Sequence, residues 1–306
     1  MNFTLASNKI NSKMTLVKGS VTITVGNSAE VELEFPELRK KTADEIFDIK
    51  FWDDTLTVKE KFGRKSHMMP PLFDEKLNTN LVLKLPANTE ASGYITAVGG
   101  NIDMGAIHYD GKLKTLNGDM NLGDMRSDDL NINTVSGDTR IGTINGSLVG
   151  NAISGAFLVE AGELSYLSLK SVSGDIYVKS GFNLEQDSYI QTVSGDINMN
   201  IPHYKTEKEL SLSTLSGNTK LEGTYPEDKI RKKRSMPFMK GSPFKEFMPM
   251  MKEFMHSMKG GRGVEVHTKW HSSNKSKNVE TILNMLAEGK ITADEAERLI
   301  NAIKGK

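Results

Sequence analysis

Between about residue 95 and residue 225 apolar and polar residues alternate in short bursts, and a glycine interrupts each burst. Val172, Ile176 and Val178 are apolar around Gly174, as are Val193, Ile197 and Met199 around Gly195, with polar Asp175 and Asn198 between them. A period of two is the signature of a strand with one buried face. Aligned on the glycine, the phrases read AVGGNIDMG at Gly100, TLNGDMNLG at Gly118, TVSGDTRIG at Gly137, AISGAFLVE at Gly155, SVSGDIYVK at Gly174, TVSGDINMN at Gly195 and TLSGNTKLE at Gly217. The steps are 18, 19, 18, 19, 21 and 22 residues. A second apolar set lies between the phrases: Leu113, Leu130, Ile132, Ile144, Leu148, Leu164, Leu167, Phe182 and Leu184.

A unit of about 19 residues is too small to bury its own edges, but stacked units share one interior and bond from rung to rung. The pattern predicts a mainly β protein, a single-stranded parallel β-solenoid (β-helix) of about seven such coils, with a small C-terminal α-helical hairpin. Each glycine supplies a bend, and the residue after it, Asp119, Asp138, Asp175 or Asp196, suits turn chemistry because its short side chain bonds to nearby backbone. The alternative is a carboxylate ladder that binds a cation or ligand. Against it, the calcium-binding nonapeptide repeats near nine residues, which this chain does not, and Ala156 and Asn218 replace the acid in two coils.

The flanks divide further. In region 1–90, Val21, Ile23 and Val25 alternate, as do Val31, Leu33 and Phe35; Ile49 with Phe51 and Leu56 with Val58 continue the pattern. This N-terminal β region reads as opening coils or as a cap over the first rung, ahead of solenoid repeats at 91–225; residues 61–76 read as a long loop. Residues 226–262 are a basic Met/Phe-rich insertion with seven of the 16 methionines and four of the 12 phenylalanines. Phe244, Phe247, Met248, Met251, Phe254, Met255 and Met258 form a helical stripe interrupted by Pro249. That stripe could dock on the solenoid, stay disordered, or contact an anionic membrane or a partner protein through 229–261. VEVHTKW at 264–270 returns to strand alternation, within a returning strand at 263–272.

Residues 278–306 form a separate module. Val279, Ile282, Leu283 and Leu286 make one helical stripe, closed by Gly289. Thr292 and Glu295 then make a capping box, and Ala296, Leu299, Ile300 and Ile303 make the second stripe. Two such short helices bury little alone, so Ile282, Leu283, Leu286, Leu299, Ile300 and Ile303 are candidates for homo-oligomerisation or for docking on a protein partner.

Charge and chemistry narrow the function. With 39 basic and 39 acidic residues the formal net charge is zero, which gives no general pull towards nucleic acid, and none is expected as a partner. The chain has no cysteine, which removes thiolate chemistry. His267 and His271 are four apart but sit in a strand-like stretch with no acidic third ligand nearby. No nucleophile elbow or phosphate loop occurs, so no enzyme, cofactor, metal or catalytic residue is expected. The start of the chain offers no signal-peptide pattern, and the expectation is a cytoplasmic protein, at most peripheral to the inner face of the membrane.

The strand LKLPANTE followed by the repeated SGD phrases resembles a bacterial adhesin-type domain of unknown function, over about residues 15–225. NMLAEGKITADEAERLINAI resembles the SHOCT-like helical hairpin. Together they resemble the YvlB- and LiaX-like proteins of the cell-envelope stress response. The resemblance implies a β-helical fold without known catalytic residues, and a scaffold or protein-interaction role. The readings that compete with it are a surface adhesin and a cytoplasmic regulator acting through the hairpin.

Overall fold

The structure, a computed structural model, describes residues 1–36, 38, 42–61 and 79–233. The strands in the N-terminal part are β1 (Asn2–Phe3), β2 (Lys9–Leu16), β3 (Val21–Val25), β4 (Val31–Glu34), β5 (Phe47–Trp52), β6 (Thr55–Glu60), β7 (Leu81–Leu85), β8 (Glu90–Ala97) and β9 (Ile102–Met104). There follow β10 (Ile107–Asn117), β11 (Met120–Ser136), β12 (Thr139–Ser154), β13 (Phe157–Ser173), β14 (Ile176–Lys179) and β15 (Gly181–Phe182). The C-terminal set is β16 (Ser188–Ser194), β17 (Ile197–Ile201), β18 (Leu210–Ser216), β19 (Thr219–Gly223) and β20 (Ile230–Lys233).

Two parallel ladders run the length of the stack. One passes through β6, β2, β8, β10, β11, β12, β13, β16, β18 and β20. The other passes through β7, β3, β9, the first residues of β11, β12 and β13, then β14, β17 and β19. In the three long strands the register shifts mid-strand, between Ser127 and Leu130 for example, where the chain turns a corner of the coil. Most backbone groups along a middle rung thus pair with the coil above or below, so the interior can be largely apolar.

All nine residues of the second apolar set are buried, and Ile176, Val178 and Ile197 are fully so. Along one inward column Met14, Ile95, Leu113, Ile132, Gly150, Leu169, Ile190 and Leu212 lie in register. At Gly150 the space of a missing side chain is filled by Leu169 and the ring of Phe157, so the coil keeps its cross-section. Each fully buried Leu or Ile contributes about 1.5–3 kcal/mol by leaving water. Among the described residues the column's final member is Lys232, exposed beside Leu212.

Three features differ from the pattern reading. Region 1–90 is neither only coils nor only cap. Its strands β6 and β7 lie beneath β2 and β3, so the first coil in the chain is the second in the stack. Antiparallel β5 then covers β6, β4 covers β7, and β1 covers β4, which pairs the open edge at this end. Second, the stack extends past 225, because Ile230–Lys233 still pairs with β18; the boundary expected at 226 moves to at least 234. Third, Val172 is only half-buried, and the inward position is the residue before it. Ala97, Thr115, Thr134, Ala152, Ser171, Thr192 and Thr214 form that inward column. The chain narrows into the glycine bend there, and only small side chains fit. The helical hairpin and the returning strand lie outside the described residues.

Candidate functional site

The seven aligned glycines stack in one column. A Cβ at Gly118 would overlap the carbonyl oxygen of Gly100, one at Gly137 that of Gly118, and so on through Gly155, Gly174, Gly195 and Gly217. Gly100 stands in the same relation to Gly19, which adds a rung that the phrases do not announce. At Gly137 and Gly174 φ is +133° and +155°, a backbone conformation that L side chains rarely adopt. The column therefore holds glycine for two reasons, the bend and the closeness of the next rung.

The aspartates beside it clamp one rung to the next. The Asp138 amide donates to Asp119 Oδ1 at 2.8 Å and the Ala156 amide to Asp138 Oδ1 at 2.9 Å. The Asp196 amide donates to Asp175 Oδ1 at 2.8 Å and the Asn218 amide to Asp196 Oδ1 at 2.7 Å. Below them the Ser20 amide donates to Asn80 Oδ1, the Asn101 amide to Ser20 Oγ and the Asp119 amide to Asn101 Oδ1. One oxygen of each of these carboxylates thus satisfies a backbone N–H where the ladder turns and cannot supply one itself. Arg140 bonds the outer oxygen of Asp138 at 3.0 Å. The geometry is that of turn chemistry.

A different corner uses the same device. Asp110 Oδ1 accepts from the Ser127 hydroxyl at 2.9 Å, the Asp128 amide at 2.8 Å and the Asp129 amide at 3.2 Å. Its Oδ2 lies 3.3 Å from His108 Nε2. Burial pushes the Asp110 carboxyl up, but the bonds from Asp128, Ser127 and Asp129 and the nearby His108 together hold it below its ordinary value. Donor atoms of His108, Asp110 and Asp128 lie within 4.8 Å of one another, a set of one imidazole and two carboxylates that could hold a divalent cation.

On the face of β9, β11 and β12, Gly105, Gly123 and Gly142 floor a shallow open depression of about 470 Å³. Asp103, Asn121 and Arg140 rim it, with Asn121 Nδ2 donating to Asp103 Oδ1 at 2.8 Å. Burial pushes the Tyr109 hydroxyl, in the core, well above its usual range. Tyr204 is pushed up to about 12 by burial and by the charges of Asp187 and Glu209, and it donates to the Lys208 carbonyl at 2.6 Å.

Stacked coils, clamped corners and a strand-capped end define a parallel β-solenoid repeat protein. The chain belongs to the Toastrack DUF4097 family, whose model matches residues 9–245, from the first residue of β2 onward. Residues 279–306 match a SHOCT-like domain. Neither the curated proteins nor the solved structures gave a match.

Phe244, Phe247, Met248, Met251, Phe254, Met255 and Met258 lie outside the described residues, as do Ile282, Leu283, Leu286, Leu299, Ile300 and Ile303. Sequence reasoning missed the Thr/Ser column and the roles of Ser20, Asn80 and Asn101. The signal for the first was the small residue two places before each Ser-Gly, at Thr134, Ala152, Ser171, Thr192 and Thr214.

Proposed function

We propose that the chain is a non-enzymatic scaffold or protein-interaction protein of the bacterial cell-envelope stress response. The observation that supports this most is the rung-to-rung clamp from Asn80 to Asn218, broken only at Ala156. Such a stack holds its outward side chains about 4.8 Å apart on a stiff frame, which serves recognition of an extended surface. The SHOCT-like module would then join the frame to a second copy or to a protein partner, as its two apolar stripes suggest. The envelope-stress assignment rests on the pairing of solenoid and hairpin, which resembles that of YvlB- and LiaX-like proteins. Deleting residues 278–306 and measuring mass by light scattering tests the joining role, with a pull-down from cell extract by the intact and shortened chains. The reading expects the shortened chain to lose mass or to lose captured protein. An unchanged mass together with an unchanged pull-down would contradict it.

A further inference from the structure

Two adjacent outward columns of the first ladder carry charge of one sign only from β6 onward, beside columns that hold Asp110 with Ser92 and Asn11, and Glu90 with Lys9 and His108. In the first, Thr57, Lys13, Tyr94, Lys112, Asn131, Val149, Ser168, Tyr189, Ser211 and Arg231 stand in register. In the second, Lys59, Thr15, Thr96, Lys114, Asn133, Asn151, Lys170, Gln191 and Ser213 follow one another. From β6 onward neither column contains an Asp or a Glu, although the whole chain is neutral; on the covering strand β5, Asp48 stands opposite Lys59. The opposite ladder is mixed, with Asp103, Glu160 and Glu222 among Arg140, Lys179 and Lys220.

The cations of the face are not equal. Arg231 is bonded to Glu209, and Lys170 lies over the Tyr189 ring at 5.4 Å. The middle is an amide ladder, with Asn133 Nδ2 donating to Asn131 and Asn151 Nδ2 to Asn133. The concentrated charge is at the N-terminal end, where Lys13 and Lys112 flank Tyr94 from the rungs on either side and Lys59 stands one rung further out. Tyr94 is 53% exposed, a large ring left in water at the centre of a cationic plane. The nearby carboxylates have partners already: Glu90 holds Lys9 at 2.9 Å, Asp48 holds Lys50 at 3.2 Å, and Glu60 accepts from the Val17 amide.

We infer that this plane, centred on Lys13, Lys59, Tyr94 and Lys112, is a docking surface for an anionic lipid bilayer. Flat sheet, spread ammonium groups and an exposed tyrosine match a headgroup layer, in which Tyr sits at the boundary and Lys meets phosphate. A nucleic-acid strand would instead call for a groove with successive aromatic platforms, whereas the exposed rings of this face, Tyr94 and Trp52, stand in different columns of an open sheet. The two ends of the ladder also carry the chain towards its most lipid-suited composition. The sequence runs from β6 into KFGRKSHMMPPLF and from β20 into RSMPFMKGSPFKEFMPMM, both basic and rich in Met, Phe and Pro. This inference goes beyond the scaffold reading: it gives the stack a membrane-facing side without using the hairpin.

The test is flotation of the full chain with phosphatidylcholine vesicles, alone or with about 30 mol % phosphatidylglycerol. Wild type should float only with the anionic vesicles and be released at about 0.5 M salt. Lys13→Gln, Lys59→Gln and Lys112→Gln together should weaken binding by roughly a hundredfold, since each lysine at an anionic surface contributes about fivefold. Arg140→Gln, Lys179→Gln and Lys220→Gln on the opposite ladder should change it less than about threefold. Far-ultraviolet spectra matching wild type would certify both triples as folded. Equal flotation of wild type and the first triple would overturn the inference. So would failure of wild type to float, loss of flotation on deleting 234–261 with no effect of the triple, or lysine-dependent binding of single-stranded nucleic acid in place of vesicles. Because the hairpin stays in place throughout, these outcomes are separate from those of the mass measurement.

Discussion

The glycine corner and the lysine plane are built from the same coils and obey opposite rules. At the corner each residue is dictated by the rung beneath it: Gly137 by the Gly118 carbonyl, and the Ala156 amide by Asp138. On the plane Lys13, Tyr94 and Lys112 occupy equivalent positions with unrelated chemistry, because an outward side chain meets mainly water. In a solenoid, what repeats holds the stack together, and what does not repeat is left for recognition. The prominence of the SGD phrase therefore points away from its being a reactive site.

The sharpest way to break this contrast is at the corner. Gly137→Ala would place a methyl group against the Gly118 carbonyl at φ +133°, and should cost about 3–5 kcal/mol or prevent folding, read by urea denaturation. Gly26→Ala is its control. There a Cβ would meet only ordinary contact with Lys84, and stability should stay within about 0.5 kcal/mol. Similar losses at the two sites would mean that the column is not what fixes the bend.

The clamp comes next. Asp138→Ala leaves the Ala156 amide without its acceptor and should cost about 1–3 kcal/mol. Ala156→Asn would restore an acceptor at the one gap in the column, and should raise stability by about 0.5–1 kcal/mol in the same assay. If Asp138→Ala were neutral, the aspartates would be decoration on the turn.

A smaller effect is expected in the pH dependence. The folded Asp110 carboxyl titrates below its ordinary value of 3.8, so its contribution is complete above that pH and is lost as pH falls through the folded value. Asp110→Asn should flatten this part of the acid-stability curve while leaving the slope above pH 5 as in wild type. A wild-type slope in the variant would assign the acid sensitivity elsewhere. The smallest effect belongs to the plane. Lys13→Gln, Lys59→Gln and Lys112→Gln together should shift stability by less than about 0.5 kcal/mol, because they are outward and the one carboxylate in register with them, Asp48 opposite Lys59, is an exposed group that already holds Lys50. A large loss there would erase the distinction between corner and plane.

The repeat was legible because its cause is local. Alternation around Gly174 and Gly195 announces strands, and a short polar residue after glycine announces a turn. The threading of β6 and β7 beneath β2 and β3 was not legible, since Leu56, Val58, Met14 and Leu16 make the same period-two pattern whichever rung they join. Alternation also misled at Val172, where the bend shifts the phase and turns Ser171 inward. Residues 13, 94 and 112 meet only through register, so no window of sequence contains the plane. The acidic residue as a rung-to-rung acceptor lies between these cases: the residue type was visible, but the identity of its partner needed the stack.

All of this rests on equivalent positions in successive coils lying one strand spacing apart. Asn121, Arg140, Leu158, Tyr177, Asn198 and Lys220 are six such positions in one outward column. Because the chain has no cysteine, spin labels can be attached at Asn121→Cys and Lys220→Cys alone. Five rungs of spacing predict one narrow distance distribution near 24 Å, widened by a few ångströms for the label arms. A broad distribution, or a mean beyond about 35 Å, would contradict the stack and with it the plane that the stack assembles.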